Sequence, residues 1–306
     1  MIKVGIIGDT HLSEQTPRSW KADYSVVTLN DLVTAVKMTD VSIILGDFFH
    51  RPVISEQYKL EVSRRLGELT TPVYTIWGNH DVEGLNLASA DRTSLNLLHE
   101  FGVVKVLDKG ITFDGVSFDV IEFKKNPAVP KHNKQEDGVL LGHFFFEEPS
   151  DPAFSISKDE VFNSGYKYVF LGHEHEPRPD IEGNGTVLVR QGALCRNSAH
   201  DYNLDRVPAI SIVSCDNGKI VKVDRNVPIP TVPGESIFRA DILRSPVKNT
   251  TTLLTSMTDL LDRFKQSDMG SNNVLTVKKA LVELDTPTDV MVYLEDLYQR
   301  LGMEFK

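Results

Sequence analysis

Apolar residues recur along the first two thirds of the chain in short runs, and five of these runs stop at a glycine. Lys3–Ile7 ends at Gly8, Val41–Leu45 at Gly46, Val73–Trp77 at Gly78, Val139–Leu141 at Gly142 and Tyr168–Leu171 at Gly172. Runs of β-branched, aliphatic and aromatic residues with little polar alternation predict strands covered on both faces. Between the runs the period lengthens. Val26, Leu29, Leu32, Val33 and Val36 share one helical face and predict a helix over 23–38, and Ser55 reads as the N-cap of a second helix carrying Leu66 and Leu69. A third helix is predicted from about Asp91 to Phe101, with Gly102 just beyond its end.

From Val103 the period falls to two. Residues 103–107, 111–113 and 116–123 read as strands, the last two joined at Asp114-Gly115. Ser157–Asn163 is a short capped helix. Thr186–Arg190, Ala209–Ser214 and Lys219–Arg225 complete a second set of strands, the last pair joined at Asp216-Asn217-Gly218. The fold class is therefore α/β. Pro228, Pro230 and Pro233 mark a domain boundary, giving a large domain over 1–230 and a small one over 231–306. In the small domain Ile237–Leu243 is strand-like, and Leu253, Leu254, Met257, Leu260, Leu261 and Phe264 form a helical stripe. A last helix starts at Thr286-Pro287 and stops at Gly302, so the appended domain is α+β.

The 306 residues, 41% hydrophobic and 25% charged, have the composition of a soluble globular protein, and no apolar run approaches the ~20 residues that span a bilayer. Met1–Ile7 is too short and too quickly polar for a signal peptide and reads as a first strand. Cys195 and Cys215 sit in no Cys-x-x-Cys or Cys/His spacing, which points to reduced structural thiols, a cytoplasmic location and no membrane. A net charge of −10 argues against a broad nucleic-acid surface. It leaves room for a local basic path: Lys124, Lys125, Lys131 and Lys134 share one loop, and Arg18, Lys21 and Arg51 lie near the histidines in sequence. A loop of solvated lysines is the plainer reading of that stretch.

Chemistry collects at the ends of the five runs. They deliver Asp9 and His11, then Asp47 and His50, then Asn79, His80 and Asp81, then His143, then His173 and His175. In an α/β sheet the carboxyl ends of the strands face one edge, where ligands gather. Residues two apart in an extended chain point to the same side, so Asp9 with His11 and His173 with His175 can each address one centre. The donors are oxygen and imidazole without thiolate, which disfavours structural zinc and favours a catalytic site for manganese, iron or magnesium. There are more donors than one ion needs; two ions about 3.5–4 Å apart and sharing a carboxylate would use them all. Singly, Asp9 could cap a loop, His143 could be a core histidine and Gly78-Asn79-His80-Asp81 could be a turn. Six of the nine histidines following strand ends is what favours a site. His99, His132 and His200 read as surface or structural.

The order Asp9-Thr10-His11, Gly46-Asp47-Phe48-Phe49, Gly78-Asn79-His80-Asp81, His143 and Gly172-His173-Glu174-His175 resembles the five motifs of the calcineurin-like metallophosphoesterases across about residues 1–225. The resemblance implies a two-sheet β-sandwich flanked by helices, with two metals at one edge. It implies Asp9, His11 and His175 on one metal, Asn79, His143 and His173 on the other, Asp47 bridging them, and a bridging water attacking phosphorus. His80 is implied to protonate the leaving alkoxide or stabilise the transition state. Two nearby cations disfavour an imidazolium, so Asp81, hydrogen-bonded to His80, would orient it and help keep it charged.

Gly46-Asp47-Phe48-Phe49-His50 is similar to the GDLFH of SbcD-like double-strand-break-repair nucleases, with Phe for Leu. That branch implies that His50 lies beside the metals and helps position the DNA strand, and that a DNA-capping domain stands where the small domain lies. It also implies manganese-dependent 3′→5′ exonuclease and single-strand endonuclease activity on DNA, in repair or recombination. The implied partners are an SbcC-like coiled-coil ATPase and a second copy of the chain. Arg51, Lys124 and Lys125 are the candidate substrate contacts. The compact length is similar to phage versions of that subunit, whose compartment is the host cytoplasm. Two rivals stand beside it: a phosphatase or phosphodiesterase for a small substrate with the C-terminal region as a lid, and a non-catalytic scaffold.

Overall fold

A computed structural model describes residues 1–133, 135–149, 151–197 and 202–239. The first sheet has the order β14-β13-β1-β2-β3-β4, formed by β1 (Ile2–Ile7), β2 (Val41–Ile44), β3 (Val73–Thr75), β4 (Lys105–Val106), β13 (Ala209–Asp216) and β14 (Lys219–Pro228). β1 to β4 run parallel, and β13 pairs antiparallel with both β1 and β14. The second sheet has the order β11-β12-β10-β7-β6-β5, from β5 (Ile111–Phe113), β6 (Val116–Val120), β7 (Gly138–His143), β10 (Tyr168–Gly172), β11 (Ile181–Gly183) and β12 (Thr186–Arg190). β6, β7, β10 and β12 are parallel, with β5 and β11 antiparallel at the two edges. A parallel pair, β8 (Phe145–Phe146) with β9 (Ser155–Ile156), stands apart.

The period-two geometry of a strand sorts the apolar runs between two cores. Val4, Ile6, Ile43 and Leu45 of the first sheet pack with Val139, Leu141, Phe170 and Val189 of the second. Their neighbours Ile7, Ile44, Leu140, Val169 and Leu171 belong to the other core with the helices. Both faces are therefore dry, which is why the runs carry so little polar alternation. α1 (Tyr24–Val36) buries Leu29, Leu32 and Val36, and α2 (Glu56–Gly67) buries Tyr58, Val62 and Leu66. Their N-caps are Asp23, accepting from Ser25 and Val26, and Ser55, accepting from Tyr58. α3 (Ser94–Glu100) starts three residues later than predicted, because Thr93 rather than Asp91 supplies the cap. Gly102 closes it at φ +70°. α4 (Lys158–Phe162) carries a capping box between Ser157 and Glu160.

Chain contacts divide the protein into two compact units, and the first comprises Met1–Thr16, Asp23–Asn197 and Val207–Val232. The described residues of the second are 17–22, 202–206 and 233–239. They include α5 (Tyr202–Asp205) and α6 (Gly234–Ile237), with a bridge from Trp20 to Phe238 whose ring centroids are 5.1 Å apart. The strand predicted over 237–243 is corrected at its start: Ile237 ends a single helical turn, closed by Phe238 N–H donating to the Gly234 carbonyl at 2.8 Å. An Ile-Phe pair is apolar in either period, and two residues cannot distinguish them. The rest of that segment, the 253–264 stripe, the Thr286–Gly302 helix and nearly all of the predicted small domain lie outside the described residues. Among the described residues no helix is long and apolar enough to cross a membrane.

Candidate metal centre

The five predicted strand ends are those of β1, β2, β3, β7 and β10, three from one sheet and two from the other. All end at the same edge, and their polar residues are buried: Asp9, His11, Asp47, Asn79, His80, Asp81 and His143 are each less than a tenth exposed. His11 Nε2 is 3.0 Å from His175 Nε2 and 3.4 Å from Asp47 Oδ2. His143 Nε2 is 2.9 Å from Asn79 Oδ1, 3.1 Å from His173 Nδ1 and 3.3 Å from the same Asp47 Oδ2. His175 Nε2 is 3.7 Å from Asp9 Oδ2. One carboxylate oxygen thus faces two groups of donors, Asp9-His11-His175 on one side and Asn79-His143-His173 on the other.

The backbone aims these side chains through conformations that L residues avoid. His11, Asp47 and His173 have φ of 41°, 49° and 83°. Gly46 at φ +85° allows the turn into Asp47, and a Cβ on Gly78 would stand 2.2 Å from Asp47 Oδ1. Hydrogen bonds hold the result. Thr10 and His11 N–H donate to the Asp47 carbonyl, His80 N–H donates to Asp47 Oδ1 at 2.8 Å, and His173 N–H donates to both Asp9 oxygens at 3.1 Å. His143 donates from Nδ1 to the Leu45 carbonyl at 2.7 Å, which turns Nε2 toward the other donors.

The profile of the calcineurin-like phosphoesterase family matches residues 2–177, which span every one of these donors. The chain belongs to this family. Members are metal-dependent hydrolases, and the two-sheet α/β architecture is the family's fold. No curated protein matches the chain significantly. Solved structures similar to this phosphoesterase include a protein of Thermus thermophilus, TT1561, at 10% identity and TM-score 0.43, over 73% of this chain and 97% of the other. A dimetal phosphatase from Danio rerio is 11% identical with TM-score 0.46, over 70% and 93%.

The donor set of the phosphoesterase site fits divalent cations. Two donors about 2.1 Å from one ion at right angles lie about 3.0 Å apart. The observed donor–donor distances of 3.0, 2.9 and 3.1 Å have that spacing. Asp9, His11 and His175 form one group whose ligand atoms all lie within 4.8 Å of one another, as do Asp47, His143 and His173, and a third such group is His11, His50 and His80.

Titration in the metal-free protein reflects crowding. Burial pushes the His11 and His173 imidazoles well below their usual range, and burial together with His80 and Arg51 lowers His50 to about 3. Burial opposes a proton on His143 too, but Asp47 and Asp9 overrule it and raise that imidazole to about 10. Burial would raise Asp47; the histidines around it, His143 foremost, hold it well below the carboxylate range. Asp9, dominated by burial, rises to about 7.

The predicted residues outside the donor set divide. His80 Nδ1 donates to the His50 carbonyl at 2.8 Å, and the His50 and His80 rings stack with centroids 5.2 Å apart. Asp81 is not oriented toward the His80 ring as predicted. Its carboxylate accepts from Phe49 N–H at 3.2 Å and Gly78 N–H at 3.0 Å, so it staples the ends of β2 and β3 together. Burial and the Asp47 charge raise it to about 8. Arg51 donates to Gln15 Oε1 at 2.7 Å. Lys124 pairs with Glu122 at 2.5 Å, and Lys125 is exposed; both follow Phe123, whose ring centroid is 6.3 Å from that of His143. Sequence reading missed Phe145, whose ring meets His173 edge-on with centroids 4.0 Å apart. The same-side spacing of His143 and Phe145 was the available signal. His99 and His132 are structural, accepting from Val106 N–H and stacking on Tyr166 respectively. His200 lies outside the described residues.

Proposed function

We propose that this phosphoesterase is a two-metal phosphodiesterase acting on DNA. The observation that carries the two-metal reading is the single Asp47 Oδ2, 3.4 Å from His11 Nε2 and 3.3 Å from His143 Nε2. In this reading Asp9, His11 and His175 would hold one divalent ion, Asn79, His143 and His173 would hold the other, and Asp47 would serve both. Manganese suits the mixed donors, with iron or magnesium as substitutes. When bound, the ions supply Lewis acidity toward the phosphoryl oxygens and an activated water.

The chain's own residues account for the other needs of the reaction. His80 carries a proton on Nδ1, because a carbonyl can only accept, and this leaves Nε2 as the end that exchanges a proton with a leaving alkoxide. His50, stacked on His80, fixes the plane of that ring through its carbonyl and its own imidazole. The DNA reading is supported by Gly46-Asp47-Phe48-Phe49-His50 ending beside the donors and by the lysine-bearing loop after Phe123. Arg51, Lys124 and Lys125 are the proposed phosphate contacts, with the existing ion pair of Lys124 broken when substrate arrives. A role in repair or recombination, a homodimer, an SbcC-like ATPase partner and a cytoplasmic location complete the proposal.

The test is manganese-dependent release of nucleotides from duplex DNA with defined ends. His80→Ala should lower it by about 10²–10⁴-fold while bound metal stays unchanged. Efficient hydrolysis of small phosphomonoesters with no action on DNA would instead support the second reading, a small-substrate phosphatase. The net charge of −10 and the pairing of Lys124 and Arg51 within the protein favour that reading.

A further inference from the structure

All three residues of the first donor group have their backbone carbonyls held from behind. The His175 carbonyl accepts from Ala193 N–H at 2.9 Å, and the Asp9 carbonyl accepts from Cys195 N–H at 3.2 Å. The His11 carbonyl accepts from the Tyr24 hydroxyl at 3.0 Å. The Cys195 thiol in turn hydrogen-bonds the Tyr24 hydroxyl, which joins the two supports. Tyr24, Ala193 and Cys195 are 2%, 2% and 4% exposed, so no water competes for these bonds. The support falls where the backbone needs it, since His11 at φ 41° is a left-handed residue with a β-carbon.

The second group is held by other means. His143 is fixed through Nδ1 to the Leu45 carbonyl, and the shared Asp47 through Thr10, His11 and His80 N–H. Partners that fix a ligand's orientation without touching the ion change affinity by about 10–100-fold when removed. We propose that Tyr24, with the Ala193–Cys195 segment, forms a positioning brace for Asp9, His11 and His175, so that one of the two metal positions can be weakened while the other is left alone. The proposal rests on the two-metal reading above. It assigns work to a tyrosine and a cysteine that the hydrolytic chemistry does not use, and to a segment whose contribution is main-chain N–H.

Calorimetric titration of the metal-free full-length protein with manganese(II) tests it. The wild-type protein should show two binding events, and His175→Ala and Asn79→Ala identify them by removing one each. Tyr24→Phe keeps the ring and loses only the hydroxyl. It should weaken the event lost in His175→Ala by about tenfold or more, leaving the event lost in Asn79→Ala unchanged. Equal weakening of both events, or no change in either, would overturn the brace. If Tyr24→Phe does not fold, Cys195→Ala, which removes only the bond to the Tyr24 hydroxyl, should weaken the same event by a smaller factor and leave the other unchanged; equal effects on both events, or none on either, would overturn the brace. A wild-type protein that takes up fewer than two ions would fail differently, by overturning the two-metal reading itself.

Discussion

At the amino ends of the parallel strands, left-handed residues with a side chain include Asp114 and Asn217, at φ 48° and 47°; at the carboxyl ends they include His11, Asp47 and His173. The first pair sits in the hairpin turns Asp114-Gly115 and Asn217-Gly218, which pack together, with Gly218 N–H donating to the Asp114 carbonyl at 2.7 Å. Asp and Asn tolerate this conformation, and a two-residue hairpin requires it, so the sequence there is chosen for the backbone. Two of the second set are histidines, chosen for their imidazoles, and the backbone is forced to suit them by the Asp47 carbonyl and the Asp9 carboxylate. The same anomaly therefore marks a turn at one edge and a site at the other. What separates the two is whether the residue type explains the conformation.

The sharpest way to break this contrast is Asp47→Asn. Asn adopts positive φ readily and can still accept from His80 N–H, so the fold should survive. Both metal positions should weaken, by more than the ~100-fold that a supporting partner is worth, as read by manganese content after dialysis. Retention of two tightly held ions would remove Asp47 from its place between the groups. At the other edge, Asn217→Ala should cost about 1–2 kcal/mol of stability in a denaturant melt, with hydrolysis untouched. A loss of activity there would mean that the two edges are coupled.

The smallest expected effect concerns Asp137, which precedes β7 at the amino-end edge and accepts from Lys167 Nζ at 2.9 Å and Ile220 N–H at 2.7 Å. Burial alone would raise its pKa; those bonds and the lysine charge win and lower it. A carboxyl depressed on folding adds stability above its unfolded value and loses it as pH falls through the folded one. Asp137→Asn should flatten the acid limb of a stability-against-pH curve, and an unchanged limb would show that Asp137 adds nothing there.

Much of the site could be read before the fold, because every donor follows a strand that is apolar on both faces and ends at a glycine. Strand direction then sends Asp9, Asp47, Asn79, His143 and His173 to one edge whatever the helices do. The parts that escaped are those in which side-chain chemistry and contact part company. Asp81 lies beside His80 in sequence, yet its carboxylate serves Phe49 and Gly78 N–H. The brace on Asp9 and His175 uses backbone N–H of Cys195 and Ala193, which any residue but proline would supply. β8, β9 and β11 are two or three residues long, too short to show a period.

His11 and His175 meet at 3.0 Å across 164 positions of sequence, and Asn79 and His143 meet across 64. Neither group exists in a chain that has formed only the first sheet, because His143, His173 and His175 follow strands of the second. Closing such long loops is what makes non-local topologies slow to fold. An ion held by these donors would therefore be taken up late in folding, because His173 and His175 lie at and beyond the end of β10 and neither cage is complete before both sheets have formed.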